Sequence, residues 1–123
     1  MSASIGWVAL GSALGGVSRY ALALWMTRQF GAAMPWGTLA ANVAGCFAIG
    51  LLASLVKSPA ARMFLMTGFC GGFTTFSSFG LETRNLWQSG ETGRAGLYVA
   101  ASVAACLIAV WLGEAAGRSA QSR

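Results

Sequence analysis

Thr67-Gly68-Phe69-Cys70-Gly71-Gly72-Phe73-Thr74-Thr75-Phe76-Ser77-Ser78-Phe79-Gly80 lies in an uncharged run from about Met63 to Leu81. Adjacent glycines weaken a helix, so the Gly71-Gly72 pair invites a break. If the run crosses a membrane, the break frees backbone groups that lipid cannot satisfy. Such groups persist only when buried in protein or lining a watery cavity. Freed carbonyls can also coordinate a cation, as in broken transporter helices. Phe73, Phe76 and Phe79 repeat every three residues and would share a face of a continuous helix. Such a stripe is most simply packing. A phenyl ring is positive at its edge, however, so edges turned inward would contact an anion.

The rest of the chain makes the membrane reading necessary. Of 123 residues, 56% are hydrophobic and only 9% charged, against about 25% charged in soluble domains. So short a soluble chain has a large surface to cover, and 8 Lys and Arg with 3 acids cannot cover it. Spanning hydrocarbon takes about 20 apolar residues, and four stretches qualify: about 5–26, 36–56, 63–81 and 95–113. They form one domain over 1–123. The expected fold is all-α and polytopic, with four transmembrane helices, the third broken near its middle. Pro35 suits the first turn of the second helix, Lys57-Ser58-Pro59 ends that span, and Glu82 to Arg94 reads as the longest polar loop. Trp7, Trp25, Trp36, Trp87 and Trp111 fall near span ends, where indoles prefer to sit. Ala21-Leu22-Ala23 resembles a cleavage pattern, but a start without Lys or Arg and Arg19 near the end argue against a signal peptide.

With four spans, one side holds Lys57, Arg62, Arg118 and Arg123. The other holds Arg28, Arg84 and Arg94, plus Arg19 if it leans outward. The positive-inside rule barely prefers either orientation, which leaves two readings: insertion both ways, which makes an antiparallel homodimer possible, or a weak bias decided by other factors. Gly37, Ala41 and Gly45, like Ala101, Ala105 and Ala109, form small-residue faces for close helix packing.

Chemistry is limited by what is missing. The chain has no His, hence no imidazole base or Ser-His-Asp triad. The only acids, Glu82, Glu91 and Glu114, are scattered, which disfavours a paired-carboxylate site. An enzyme is not expected. The separated arginines make no basic patch, so no nucleic-acid partner is expected either. Cys46, Cys70 and Cys106 lie in apolar runs without a C-x-x-C and read as small buried hydrophobes. The polar groups inside spans are the functional candidates. Thr38 and Asn42 share a face one turn apart, and Tyr98, Ser102 and Cys106 form a second stripe. Asn42 alone could simply glue helices together, and Ser102 could bond back to its own helix. Together with the phenyl edges they suggest an uncharged, donor-rich path without an in-span carboxylate. That suits a small anion better than a cation or a proton.

Gly68-Phe69-Cys70-Gly71-Gly72-Phe73-Thr74-Thr75-Phe76-Ser77-Ser78-Phe79 resembles the signature of the Fluc (CrcB) fluoride channels. Trp36-Gly37-Thr38-Leu39-Ala40-Ala41-Asn42-Val43-Ala44-Gly45 resembles their second-helix motif, and Gly15-Gly16-Val17-Ser18-Arg19-Tyr20 their first. The resemblance covers essentially the whole chain. It implies an antiparallel, dual-topology homodimer in the bacterial inner membrane, with two fluoride pores built from both subunits. Fluoride would leave passively, lowering its cytoplasmic concentration and giving fluoride resistance. Phe76, Phe79 and Asn42 match pore residues, and Tyr98 and Ser102 match the fourth-helix track. Cys106 stands where some members carry a hydroxyl, and Thr38 and Thr75 are further polar candidates. Gly71 and Thr74 match positions whose carbonyls hold a structural sodium ion on the dimer axis. Arg19 matches an arginine near a vestibule. Two other readings compete. A small multidrug transporter is also a four-helix dual-topology dimer, but it needs a first-helix carboxylate that this chain lacks. A non-transporting assembly subunit would not need the Asn42 and Phe76 constellation.

Overall fold

A computed structural model describes residues 1–123. It is all-helical, running α1 (Ser2–Phe30), α2 (Trp36–Leu55), α3 (Pro59–Arg62), a π-helical stretch (Met63–Cys70), α4 (Gly71–Phe73), α5 (Phe76–Gln88) and α6 (Thr92–Gln121). By length and composition, α2 and α6 can each cross a membrane. Only 16 residues are buried, while Val17, Leu107, Ile108 and Leu112 are more than half exposed. In water that surface would be an aggregation liability. In lipid it is the favoured exterior.

Helix ends follow local signals. Gly31 adopts φ 80°, which ends α1, and its N–H bonds Thr27 O. Ser58 caps α3 by accepting from the Ala61 N–H, with Pro59 following it in the first turn. Arg62 Nη1 reaches back 2.8 Å to Val56 O just past α2, satisfying a carbonyl left without a helical donor. α1 and α6 run several residues beyond the stretches expected from hydropathy. The added turns carry polar groups such as Arg28 and Arg118, the latter paired with Glu114 at 2.5 Å.

Two expectations need correction. Glu82 to Arg94 is not a loop: α5 continues to Gln88, α6 starts at Thr92, and Ser89–Glu91 alone connects them, with Gly90 at φ 86°. Polarity there marks an amphipathic helix end rather than an irregular chain. The third span also breaks later than its glycine pair. Gly71 and Gly72 are helical. The chain becomes extended at Thr74 (ψ 155°) and Thr75 (φ −149°, ψ 122°).

Gly72 serves packing instead, as do Gly11 and Gly15 on α1. A Cβ on Gly72 would lie 2.5 Å from Ser12 O and 2.9 Å from Ser12 Cα. One on Gly11 would lie 2.9 Å from Phe69 N, and one on Gly15 2.9 Å from Phe73 N. α1 and the third segment thus meet backbone to backbone. The π-helical turns disturb the usual carbonyl ladder, and α1 supplies donors. Ser12 Oγ donates to Gly68 O at 3.4 Å, and Arg19 Nε to Gly72 O at 3.4 Å. The most extensive packing is between α2 and α6, where Gly113 and Gly117 press against Leu51. Within the expected alanine face of α6 only Ala109 is buried; α6 uses its glycines for the closest approach.

Candidate functional site

The break at Thr74-Thr75 builds the site. Asn42, on α2, closes a two-point bond with the extended backbone. Its Nδ2 donates to Thr75 O at 3.0 Å, and its Oδ1 accepts from the Thr75 N–H at 2.7 Å. The carboxamide therefore replaces the ladder bonds that the chain loses there. Thr74 Oγ1 donates to Cys70 O at 3.0 Å, and Thr75 Oγ1 accepts from the Ser78 N–H at 3.2 Å, capping α5. Because the Thr75 N–H goes to Asn42, the Gly71 carbonyl four residues earlier loses its regular helical donor.

A groove of about 300 Å³ opens between α2, the break and α6. Asn42, Thr75, Phe76, Phe79, Ser102 and Cys106 line it, with Cys46 and Thr74 beside them. Phe76 is 82% exposed, whereas Phe79 is buried. Their rings tilt at 51° with centroids 5.5 Å apart, and Phe79 continues to Tyr98 at 5.2 Å. Phe73 leaves the expected stripe. The break turns it away, and it stacks on Phe69 at 5.7 Å. Ser102 Oγ is buried with no hydrogen-bond partner. A buried hydroxyl without a partner is costly, and this one lies on a lined cavity.

Thr38 and Tyr98 are buried and lie outside the groove lining. One residue that sequence reasoning passed over joins them. Glu82 accepts from Thr38 Oγ1 at 2.9 Å through one carboxylate oxygen, and from the Tyr98 hydroxyl at 3.0 Å through the other. The path expected to be free of carboxylate therefore has one at its end. The signal was present, since Glu82 follows Phe79 by three residues and so shares its side of α5. Its position just past an apolar run made it look like loop. Glu82 also lines a larger cleft of about 470 Å³, where the α1–α2 linker meets the α5–α6 turn, with Thr27, Pro35, Asn85 and Arg94. Arg19 lines neither cavity; its guanidinium is on the α1 side, at Gly72 O.

Removing the shared acceptor tests this network. Glu82→Ala is expected to lower the thermal midpoint in detergent, because two buried hydroxyls lose their acceptor at about 1–3 kcal/mol each. Glu82→Gln keeps one acceptor oxygen and should fall between wild type and Glu82→Ala. An unchanged midpoint in Glu82→Ala would show that other groups satisfy Thr38 and Tyr98.

The family described as CrcB-like protein, Camphor Resistance (CrcB) matches residues 6–114. A Fluoride-specific ion channel FluC of Methylocella silvestris is 50% identical over 115 residues, covering 88% of each chain. That of Opitutus terrae is 50% identical over 118 residues, covering 89% of each. That of Paramagnetospirillum magneticum is 51% identical over 116 residues, covering 89% of this chain and 91% of its own. The matched span contains the break, the Asn42 clasp, the groove and Glu82. The chain belongs to the CrcB family.

Proposed function

We propose that this protein is a fluoride-selective channel, not an enzyme, which lets fluoride leave the cell passively and so lowers its cytoplasmic concentration. The observation that carries the reading is the groove. It joins neutral donors, phenyl rings and an unpartnered buried serine on a membrane-spanning scaffold. Relatives about half identical to this chain are named fluoride-specific channels, which supports the same ion here.

Fluoride is small, strongly hydrated and a strong hydrogen-bond acceptor. A pore must replace its water with donors of similar strength, yet release it. Ser102 Oγ has an unused donor, and the exposed Phe76 ring can turn its positive edge to the ion. α5 begins in the groove, and a helix N-terminus favours negative charge. Cys106 adds only a weak thiol donor. Asn42 positions Thr75 through its Oδ1 and one Nδ2 hydrogen, and its second Nδ2 hydrogen is a further donor beside the groove. The Glu82 carboxylate is an acceptor held by two hydroxyls; it orders Thr38 and Tyr98 at the end of the path.

The assembly we propose is an antiparallel, dual-topology homodimer in the bacterial inner membrane, with four spans per chain and two pores. The balanced charge count supports it. So does the open face at Gly71, where a Cβ would meet nothing within 4 Å in the single chain. The Gly71 and Thr74 carbonyls, paired with those of a second copy, would hold a structural sodium ion. Sodium takes hard oxygen donors, and the Gly71 carbonyl is released from its regular ladder bond, so the residues fit. The ion would contribute positive charge and a fixed crossing point. Arg19 would serve a vestibule from its place on α1.

The test is efflux from proteoliposomes loaded with fluoride or chloride, read with ion-selective electrodes. Rapid fluoride release without chloride release is expected. No fluoride release from folded protein with sodium present would overturn the reading. Phe76→Ile and Phe79→Ile should each remove most of the fluoride flux. Phe76→Ile should leave stability nearly unchanged, because its ring is largely exposed. Phe79→Ile should also lower the thermal midpoint, because its buried ring packs on Tyr98. Wild-type flux in either variant would reject the phenyl-edge role at that position.

A further inference from the structure

Two thiols share the groove. Cys46 of α2 and Cys106 of α6 both line it and are partly exposed. Both face the same groove of about 300 Å³. They sit on the two helices that pack most extensively against each other, so their separation is held by rigid elements. Each lies one helical turn beyond a groove residue, Cys46 after Asn42 and Cys106 after Ser102. The third cysteine lies outside the groove: Cys70 is 2% exposed and is not part of the lining. No further Cys, Glu or Asp completes a three-ligand cluster.

A dithiol without a third ligand does not suit zinc, which takes four. It suits a soft cation content with two sulfurs, since thiolates select soft metals. We propose that Cys46 and Cys106 form a two-thiolate site for soft, thiophilic cations, and that filling it blocks the groove. Two S–H bonds break, two metal–sulfur bonds form, and two protons pass to water, with no change of oxidation state. The bridging ion would sit one turn along from Asn42 and Ser102, across a groove of only about 300 Å³. The blocking half of the proposal rests on the groove being the fluoride path; the binding half does not.

The probe is mercuric ion, with two readouts on protein in proteoliposomes. Mass spectrometry of the protein after washing with a weak chelator counts tightly held mercury. Fluoride efflux is compared with each variant's own untreated flux. Wild type should hold one mercury per chain and lose most of its efflux, with recovery on adding dithiothreitol. Cys46→Ala and Cys106→Ser should each lose the tight mercury and escape the block, while Cys70→Ala should behave as wild type. Tight mercury persisting in the Cys46→Ala/Cys106→Ser double variant, or lost in Cys70→Ala alone, would overturn the site. Tight mercury in wild type with undiminished efflux would overturn the block. If untreated wild type passes no fluoride, the channel reading fails, and the mercury count still decides the site.

Discussion

Replacing Asn42 with alanine is expected to reduce fluoride efflux to the leak of protein-free vesicles and to lower the thermal midpoint of the purified protein. One carboxamide holds both polar groups of Thr75, its N–H at 2.7 Å and its carbonyl at 3.0 Å. Alanine leaves both groups without that partner. Each orphaned group costs about 1–3 kcal/mol. The functional loss should exceed the stability loss. Thr75 caps α5, and α5 carries Phe76 and Phe79 in its first turn. Once the clasp opens, both rings and the helix N-terminus lose their setting relative to Ser102. Efflux from Asn42→Ala vesicles near the wild-type rate would show that the break is held by something other than this residue.

The second large effect concerns the fold. Gly72→Leu is expected to leave no monodisperse helical protein, as judged by size-exclusion chromatography and circular dichroism. Its Cβ would lie 2.5 Å from Ser12 O, and the obstructing atoms are backbone, which cannot swing aside. Overpacking a core costs about 1–3 kcal/mol even where side chains can adjust; here two helices must separate. The neighbouring glycine provides the contrast. A Cβ on Gly71 meets nothing within 4 Å, so Gly71→Ala should keep the single-chain fold. If the proposed dimer crosses at this face, Gly71→Ala should weaken association, seen as a shift toward monomer in detergent. Well-folded Gly72→Leu protein would mean that α1 and the third segment pack less closely than the structure has them.

Sequence reading was strongest where one physical requirement dominates. Trp36–Leu55 is uncharged and mostly apolar, and it forms the single helix α2. Asn42 stood out because a lone carboxamide in such a run must find partners, and it has two. Reading was weakest where several requirements compete. Gly71-Gly72 suggested a break, because glycine's backbone freedom and its lack of a side chain look identical in one dimension. At Gly72 the second property is the one used, against Ser12. The Phe73, Phe76 and Phe79 stripe assumed one continuous helix, and two extended residues divide it. Glu82 was overlooked because a carboxylate beside an apolar segment normally belongs to solvent, whereas here Thr38 and Tyr98 meet it.

Composition and spacing by themselves determined the class of the molecule. A chain 56% hydrophobic and only 9% charged places its apolar helices in lipid, and its in-span polar groups must find partners within the protein, since lipid satisfies none of them. Tertiary structure alone decided which groups converge. The Asn42 clasp, which holds the Thr74-Thr75 break, and the Thr38–Glu82–Tyr98 bridge join residues more than ten positions apart. Such pairings depend on how closely helix backbones approach one another. That approach is set by glycine contacts across helix pairs, which local periodicity does not encode.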